Sequence, residues 1–270
     1  MNDEYIVTAY VVIDDVLKGL GYQDDPRSAS GAAEILTIGV IAAKYFQNHH
    51  ERSLCLLKRL KYIKGISLSR FNRRFHQLKD WLYGLMAVLG EIFAQGEVFV
   101  IDSMPLPVCK RARARRCKKV RGAVFCGYCA AKRERFFGWR LHLICTAEGL
   151  PVSFDFLPAS EHDLTPVHEL ASILPSGAYL FGDKAYISGP DAKSLLEQTE
   201  LHLVSPRRKN MAPNTWAEDF DLARYRKRIE NLYSQMESMG TQRLHARTNE
   251  GFELKALTSL LALTFTNLID

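Results

Sequence analysis

The chain has 270 residues, 47 % hydrophobic and 24 % charged, with a formal net charge of +6. That is enough apolar material for one large domain or two modest ones, and it argues against a long disordered tail. Acidic residues interrupt the first twenty positions, so no secretory signal is expected there. The apolar tracts at 35–43 and 257–268 fall short of the roughly 20 residues that span a bilayer, so a soluble cytoplasmic protein is expected. The positive charge is concentrated: eight of the twelve residues from Lys110 to Arg121 are Lys or Arg and none is acidic. Neighbouring cations focus a field that attracts polyanions, so nucleic acid is the expected partner.

Residues 1 to about 95 carry apolar side chains at helical spacing, through Tyr5–Leu20 and Ala32–Phe46, with Gly and Pro mostly between the runs. A helix opening at Ser67 places Leu68, Phe71, Phe75 and Leu78 on one face, and Arg70, Arg73, Arg74 and Gln77 largely on the other. This is either the second helix of a helix-turn-helix (about 55–80) with arginines for phosphates, or an amphipathic helix with a solvated basic face.

From Val98 the period changes. Val98–Asp102 reads as a buried strand running into a carboxylate and stopped almost at once by Pro105 and Pro107. A basic loop follows, with Lys110, Arg111, Arg113, Arg115 and Arg116. Phe136–Thr146 and Leu150–Leu157 alternate around Ala147-Glu-Gly149, which predicts a hairpin. Asp163 leads into a helix with Thr165 as its cap candidate and Pro166 at its first position; the acid either caps that helix or joins a site as a further carboxylate. Ala178–Asp183 is a second strand ending in an acid. A short helix (Pro190–Glu200), a strand (Leu201–Val204) and the basic run Arg207, Arg208, Lys209 come next. A final helix, Leu222–Met239, carries an apolar stripe of Leu222, Tyr225, Ile229, Leu232, Met236 and Met239, with Glu230 beside it.

Six cysteines are present. Cys55 and Cys145 lie in apolar-periodic stretches and read as reduced core residues. Cys109, Cys117, Cys126 and Cys129 bracket the basic tract, either as a structural zinc site or as free thiols in a reducing compartment.

Asp102 and Asp183 end strands that, side by side in a mixed α/β sheet, bring the two acids together at carboxyl ends, where open sheets bind ligands. Glu230 looks at the same edge. Three clustered carboxylates repel unless divalent cations neutralise them. Oxygen-only ligands suit Mg²⁺ or Mn²⁺, and two such ions about 4 Å apart can clamp an in-line phosphoryl transfer. Each acid also has a simpler reading: a turn cap for Asp102, an ion pair with Lys184 for Asp183, and one with Arg226 for Glu230.

Six stretches carry a family resemblance: Asp102-Ser-Met-Pro-Leu-Pro-Val-Cys, Tyr128-Cys-Ala-Ala-Lys, Phe137-Gly-Trp-Arg-Leu-His, Leu157-Pro-Ala-Ser-Glu-His-Asp163, Gly182-Asp-Lys-Ala-Tyr186 and Arg207-Arg-Lys-Asn-Met211. They resemble the DDE transposases of bacterial insertion sequences, specifically the insertion sequence 982 family. The resemblance implies an all-α N-terminal DNA-binding region (1–95) and an RNase H-like α/β catalytic domain (96–270), a mixed sheet flanked by helices. It also implies a metal-binding catalytic triad of Asp102, Asp183 and Glu230. The wider group has an Arg four residues before the Glu, here Arg226. It also has a Tyr three before that Arg and a Lys seven after the Glu, where this chain has Ala223 and Glu237; Tyr225 and Arg228 are the candidate substitutes. The expected partners are double-stranded DNA, as terminal inverted repeats and target, and a second copy of the chain when DNA-bound.

Overall fold

The structure, a computed structural model, describes residues 2–269 except 131, 208–210, 212 and 213. It separates into two compact units, residues 1–88 with 235–270, and residues 89–234.

The first unit is all helical. Its helices are α1 (Asp3–Gly19), α2 (Ala32–Phe46), α3 (His50–Arg59), α4 (Leu68–Gln77) and most of α5 (Lys79–Phe93). The last helix of the chain, α9 (Asn249–Ile269), joins them. The centre is α2, buried from Ala32 to Ala43 except at Glu34 in its first turn, as a helix hydrophobic nearly all round must be. It packs against α1, α3 and α9. Gly39 lets Phe75 and Thr258 approach, since a Cβ there would lie 2.9 and 3.1 Å from them. Asn48, in the left-handed region (φ 65°), donates from Nδ2 to the Met239 carbonyl and Ser259 Oγ. By length and composition α9 could cross a membrane, but 72 % of its apolar window is buried inside the protein. It is more than twenty residues long, where the sequence pattern suggested only a short apolar tract.

Phe71, Phe75 and Leu78 of α4 are buried as expected, Leu68 is exposed, and Ser67 caps the helix by accepting from the Arg70 amide. The connection from α3 to α4 is residues 60–67, longer than the three- or four-residue turn of a helix-turn-helix. Cys55, expected in the core, is exposed on α3.

The second unit is a mixed six-stranded sheet flanked by helices. With the all-helical N-terminal region it gives the RNase H-like arrangement. The strands are β1 (Val98–Lys110), β2 (Cys126–Cys129), β3 (Glu134–Thr146), β4 (Pro151–Pro158), β5 (Tyr179–Gly182) and β6 (His202–Val204). β3 runs antiparallel to β1 along its length. Its other edge is shared by β2 and β4 in turn. β5 and β6 extend the sheet in parallel beyond β1. One face, with Phe99, Ile101, Ile144 and Leu180, packs on α6 (Val167–Ala171) and α7 (Gly189–Thr199) through Val167, Leu170 and Leu195. Strand alternation turns Val100 and Phe181 to the other face, where Tyr225 of α8 (Trp216–Ser238) meets Phe181 at 5.1 Å between ring centroids. The apolar stripe of α8 is buried throughout.

Three details differ from expectation. β1 does not stop at its prolines; it continues to Lys110, with Pro105 and Pro107 opposite Arg140 and Gly138 and a register shift after Pro107. β5 leaves β1 after Ile101, so from there β1 is a sheet edge on that side, where a residue lacking N–H is tolerated. Second, the basic tract holds a 3₁₀ turn at Arg111–Arg116 and ends in β2, so it is not all loop. Third, the helix after Asp163 is capped by neither Asp163 nor Thr165; α6 begins after Pro166 and has no side-chain cap.

Gly138 sits where a Cβ would lie 2.4 Å from the Leu106 carbonyl oxygen and 2.6 Å from the Val108 nitrogen. Backbone atoms cannot swing aside as a flexible side chain can. Gly138→Ala is therefore expected to lower unfolding free energy by about 1–3 kcal/mol, read by urea denaturation. An unchanged midpoint would show that the shift after Pro107 absorbs the methyl.

Candidate active site

β1 and β5 pair in parallel as far as Ile101↔Gly182. The next residue in each strand is an aspartate. Asp102 Oδ1 accepts from the Ser103 amide at 2.7 Å, and Asp183 Oδ1 from the Ala185 amide at 2.6 Å. The second bond opens the 3₁₀ turn Lys184–Tyr186. Tyr186 folds back against Gly182, where a Cβ would come within 2.9 Å of its ring.

A pocket of about 60 Å³ opens there, lined by Val100–Asp102, Phe181–Asp183, Pro206 and, from α8, Leu222, Arg226, Ile229 and Glu230. All three predicted triad members border it. The volume admits a few water-sized species and is far below the roughly 300–1,000 Å³ of an organic-ligand site.

Burial pushes the Asp102 carboxyl up to about 7. The Ser103 amide opposes this, Asp183 and Asp163 add to it, and Arg226 lowers it. Burial also raises Asp183, with the Ala185 amide and Arg226 pulling down and Asp163 pushing up. The pocket thus concentrates negative charge on a set of hard oxygen donors, which fits a divalent cation. Glu230, although at the pocket's border, is engaged elsewhere. Its Oε1 accepts from Arg226 Nε at 2.9 Å on the exposed side of α8. Among the described residues no three His, Cys, Asp or Glu side chains are gathered tightly enough to hold one ion.

The other predicted contacts are distributed unevenly. Arg70 and Arg73 are exposed on α4, whereas Arg74 is bound to Asp24 at 3.0 Å. Lys110, Arg111, Arg113, Arg115 and Arg116 are all exposed. Arg207 donates to Asn214 at 2.9 Å, while Arg208 and Lys209 lie outside the described residues. Arg228 is exposed, but Tyr225 is buried against Phe181 and cannot substitute for a strand-contacting Tyr.

The four cysteines of the basic tract do not converge. Cys109 lies within hydrogen-bonding reach of Cys117, and burial followed by the Cys117 charge raises its thiol. Cys126 and Cys129 are three apart on one strand, so alternation points them to opposite faces. A second, open cleft of about 460 Å³ next to the tract is lined by Arg111, Cys126, Gly127, Tyr128 and Arg135. Tyr128 and Arg135 were not singled out from sequence; their membership of β2 and β3 brings them beside Arg111.

An RNase H-like sheet with two aspartates just past the point where its neighbouring parallel strands part defines the class. Residues 94–265 match the family model described as Transposase DDE domain, well over half of the chain, and the protein belongs to the DDE transposase family. It is by that membership an enzyme acting on DNA, in a family that uses divalent cations such as Mg²⁺. No curated protein matches the chain.

The raised Asp102 has a consequence for stability. In the unfolded chain this carboxyl ionises near pH 4; in the fold it holds its proton to about 7. Between those values the native state binds more protons, so this group's contribution to stability falls as pH rises. Without added cations, Asp102→Asn should therefore melt higher than the parent at pH 7.5, by at least about 2–4 °C, with the difference shrinking toward pH 4. Scanning calorimetry across that range tests it, and a gap that is constant with pH would contradict the shift.

Proposed function

We propose that the chain is an insertion-sequence transposase of the insertion sequence 982 type, cutting DNA to free 3′-OH ends and joining them to target DNA. The observation that carries the reading is the pair of aspartates immediately past the last rung of the parallel β1–β5 ladder, with Glu230 bordering the same pocket. Asp102, Asp183 and Glu230 would hold Mg²⁺ or Mn²⁺, two ions in the full reaction. When bound, these ions supply Lewis-acid stabilisation of charge on the attacking and leaving oxygens.

The chain's own residues then have separable tasks. Asp102 and Asp183, fixed by backbone amides, form the rigid part of the centre. Glu230 is the movable part: an exposed ion pair four residues apart is worth only about 0.3–0.5 kcal/mol, so exchanging Arg226 for the pocket is cheap. Arg226 is then free to meet a phosphate of the scissile strand. Arg228 and the cations of Lys110–Arg116 hold flanking backbone. Attack by water frees the 3′-OH, and attack by that hydroxyl joins it to target DNA in a direct transesterification. Alignment and charge stabilisation, without a covalent protein intermediate, are what the protein contributes. The helical N-terminal region, with Arg70 and Arg73, would bind the terminal repeats, and bringing two ends together calls for a second copy of the chain. Acting on chromosomal DNA would place it with the nucleoid.

Asp102→Asn and Asp183→Asn should each abolish Mg²⁺-dependent cleavage of a duplex carrying the repeats that flank its own gene, while binding in a gel-shift assay stays within about twofold. Binding without cleavage by the unsubstituted protein would support a non-catalytic regulator. Cleavage without joined products would support a stand-alone nuclease.

A further inference from the structure

Beyond Ile101, β1 has lost its β5 neighbour and is held laterally by β3 alone. Asp102 sits at the first position paired on one side only. Two prolines follow within five residues, so this stretch has few amides with which to recruit another partner. A half-paired stretch that must keep a carboxylate in place despite a neighbouring anion is served by a further restraint.

The restraint lies behind the sheet. Strand alternation turns Ser103 away from the pocket, to the face shared with its cross-strand partner His142 and with Arg140. Ser103 Oγ donates to Asp163 Oδ1 at 2.6 Å and accepts from Arg140 Nη1 at 3.1 Å. Arg140 Nη1 stands 3.8 Å from the same Asp163 oxygen, and Nη2 reaches the Tyr128 carbonyl of β2 at 3.2 Å. The Asp163 carboxylate therefore serves β1 and β3 rather than the helix that follows it. His142, fully buried and 4.0 Å from Asp163, closes the cluster, with neither ring nitrogen hydrogen-bonded among the described residues. Burial pushes that imidazole down to about 4, so at neutral pH it adds no positive charge.

Asp163 thus ties the two neighbouring strands together through one hydroxyl and one guanidinium. We propose that Asp163 is a positioning residue of the catalytic centre: through Ser103 and Arg140 it braces β1 just past the end of its β5 pairing, from the face opposite the pocket, adding to the one-sided support of β3, so that Asp102 stays aligned with Asp183. This rests on the reading of those two aspartates as the cation-holding pair.

The test compares Asp163→Ala, Ser103→Ala and Asp163→Asn in the full chain, with Asp102→Asn alongside. Readouts are Mn²⁺ binding by titration calorimetry, Mn²⁺-dependent nicking of supercoiled plasmid, and thermal melting. Asp163→Ala and Ser103→Ala should lower Mn²⁺ affinity or nicking about 10–100-fold, the usual effect of losing a group that orients a ligand, with melting shifted by only a few degrees. Asp163→Asn keeps an oxygen for Ser103 and should return to within about threefold of the parent. Should Asp163→Ala unfold, Ser103→Ala decides. Parent-like Mn²⁺ binding and nicking in the Ala variants would overturn the proposal. So would an Asp163→Asn protein as deficient in Mn²⁺ binding as Asp102→Asn, which would make Asp163 a ligand. If Asp102→Asn itself nicked normally, the catalytic reading would fail first, and separately.

Discussion

β1 and β5 run parallel for four rungs, from Val98↔Tyr179 to Ile101↔Gly182, and then part. Much of the second unit follows from where that ladder ends. Inside it, Phe99, Ile101 and Leu180 face α6 and α7 while Val100 and Phe181 face α8, so both faces are buried and the register cannot slip by one without exposing a core. Immediately outside it stand two aspartates whose Cα positions are set by the same register. The separation of the acids is thus a property of the sheet and does not depend on loop conformation. That is the kind of support a reaction needing fixed oxygen positions requires.

Placing acids there has an electrostatic consequence that the surroundings only partly correct. Burial raises the proton affinity of Asp102 and Asp183, Asp163 adds to both and Asp183 to Asp102, against two backbone amides and Arg226. Arg140 answers Asp163 on the far side of the sheet. The net result is a small pocket of oxygen donors kept short of positive charge. Such an arrangement is poor for the stability of the isolated chain and well suited to drawing in a small hard cation.

The sequence carried the elements that hydrophobic pattern controls. The strands that carry Asp102 and lead into Asp183, the hairpin of β3 and β4, and the α8 stripe from Leu222 to Met239 all depend on local periodicity, which the buried faces enforce. What escaped depends on partners distant in sequence. Pro105 and Pro107 read as a stop because a proline in a paired strand loses a hydrogen bond. They are tolerated because β5, more than seventy residues later, ends too soon to pair with them. Cys126-x-x-Cys129 reads as a ligand pair until β2 forms and alternation separates the thiols. Cys55 looked buried because it lies among leucines, yet it falls on the outer side of α3. Asp163 read first as a cap or brace of the following helix and second as a site carboxylate, and only the Ser103 and Arg140 contacts show which strand it serves. For Glu230 the sequence offered both outcomes, pocket or Arg226; it borders the one and is bonded to the other.

That dual placement has a logic on the proposed reading. Arg226 cannot satisfy Glu230 and a DNA phosphate with the same Nε–H, and a phosphate presents a stronger charge-assisted acceptor than an exposed carboxylate. Arrival of the strand and release of Glu230 toward the pocket are then one exchange. The third carboxylate would join the centre when substrate is present, and the DNA-free chain avoids gathering every acid around an unneutralised pocket. Asp102 and Asp183 do not wait on substrate in this way: each follows the last rung of the parallel ladder and accepts from a backbone amide, and β1 is braced from behind through Ser103. The division between two strand-borne acids and one helix-borne acid therefore separates what must be rigid from what must wait.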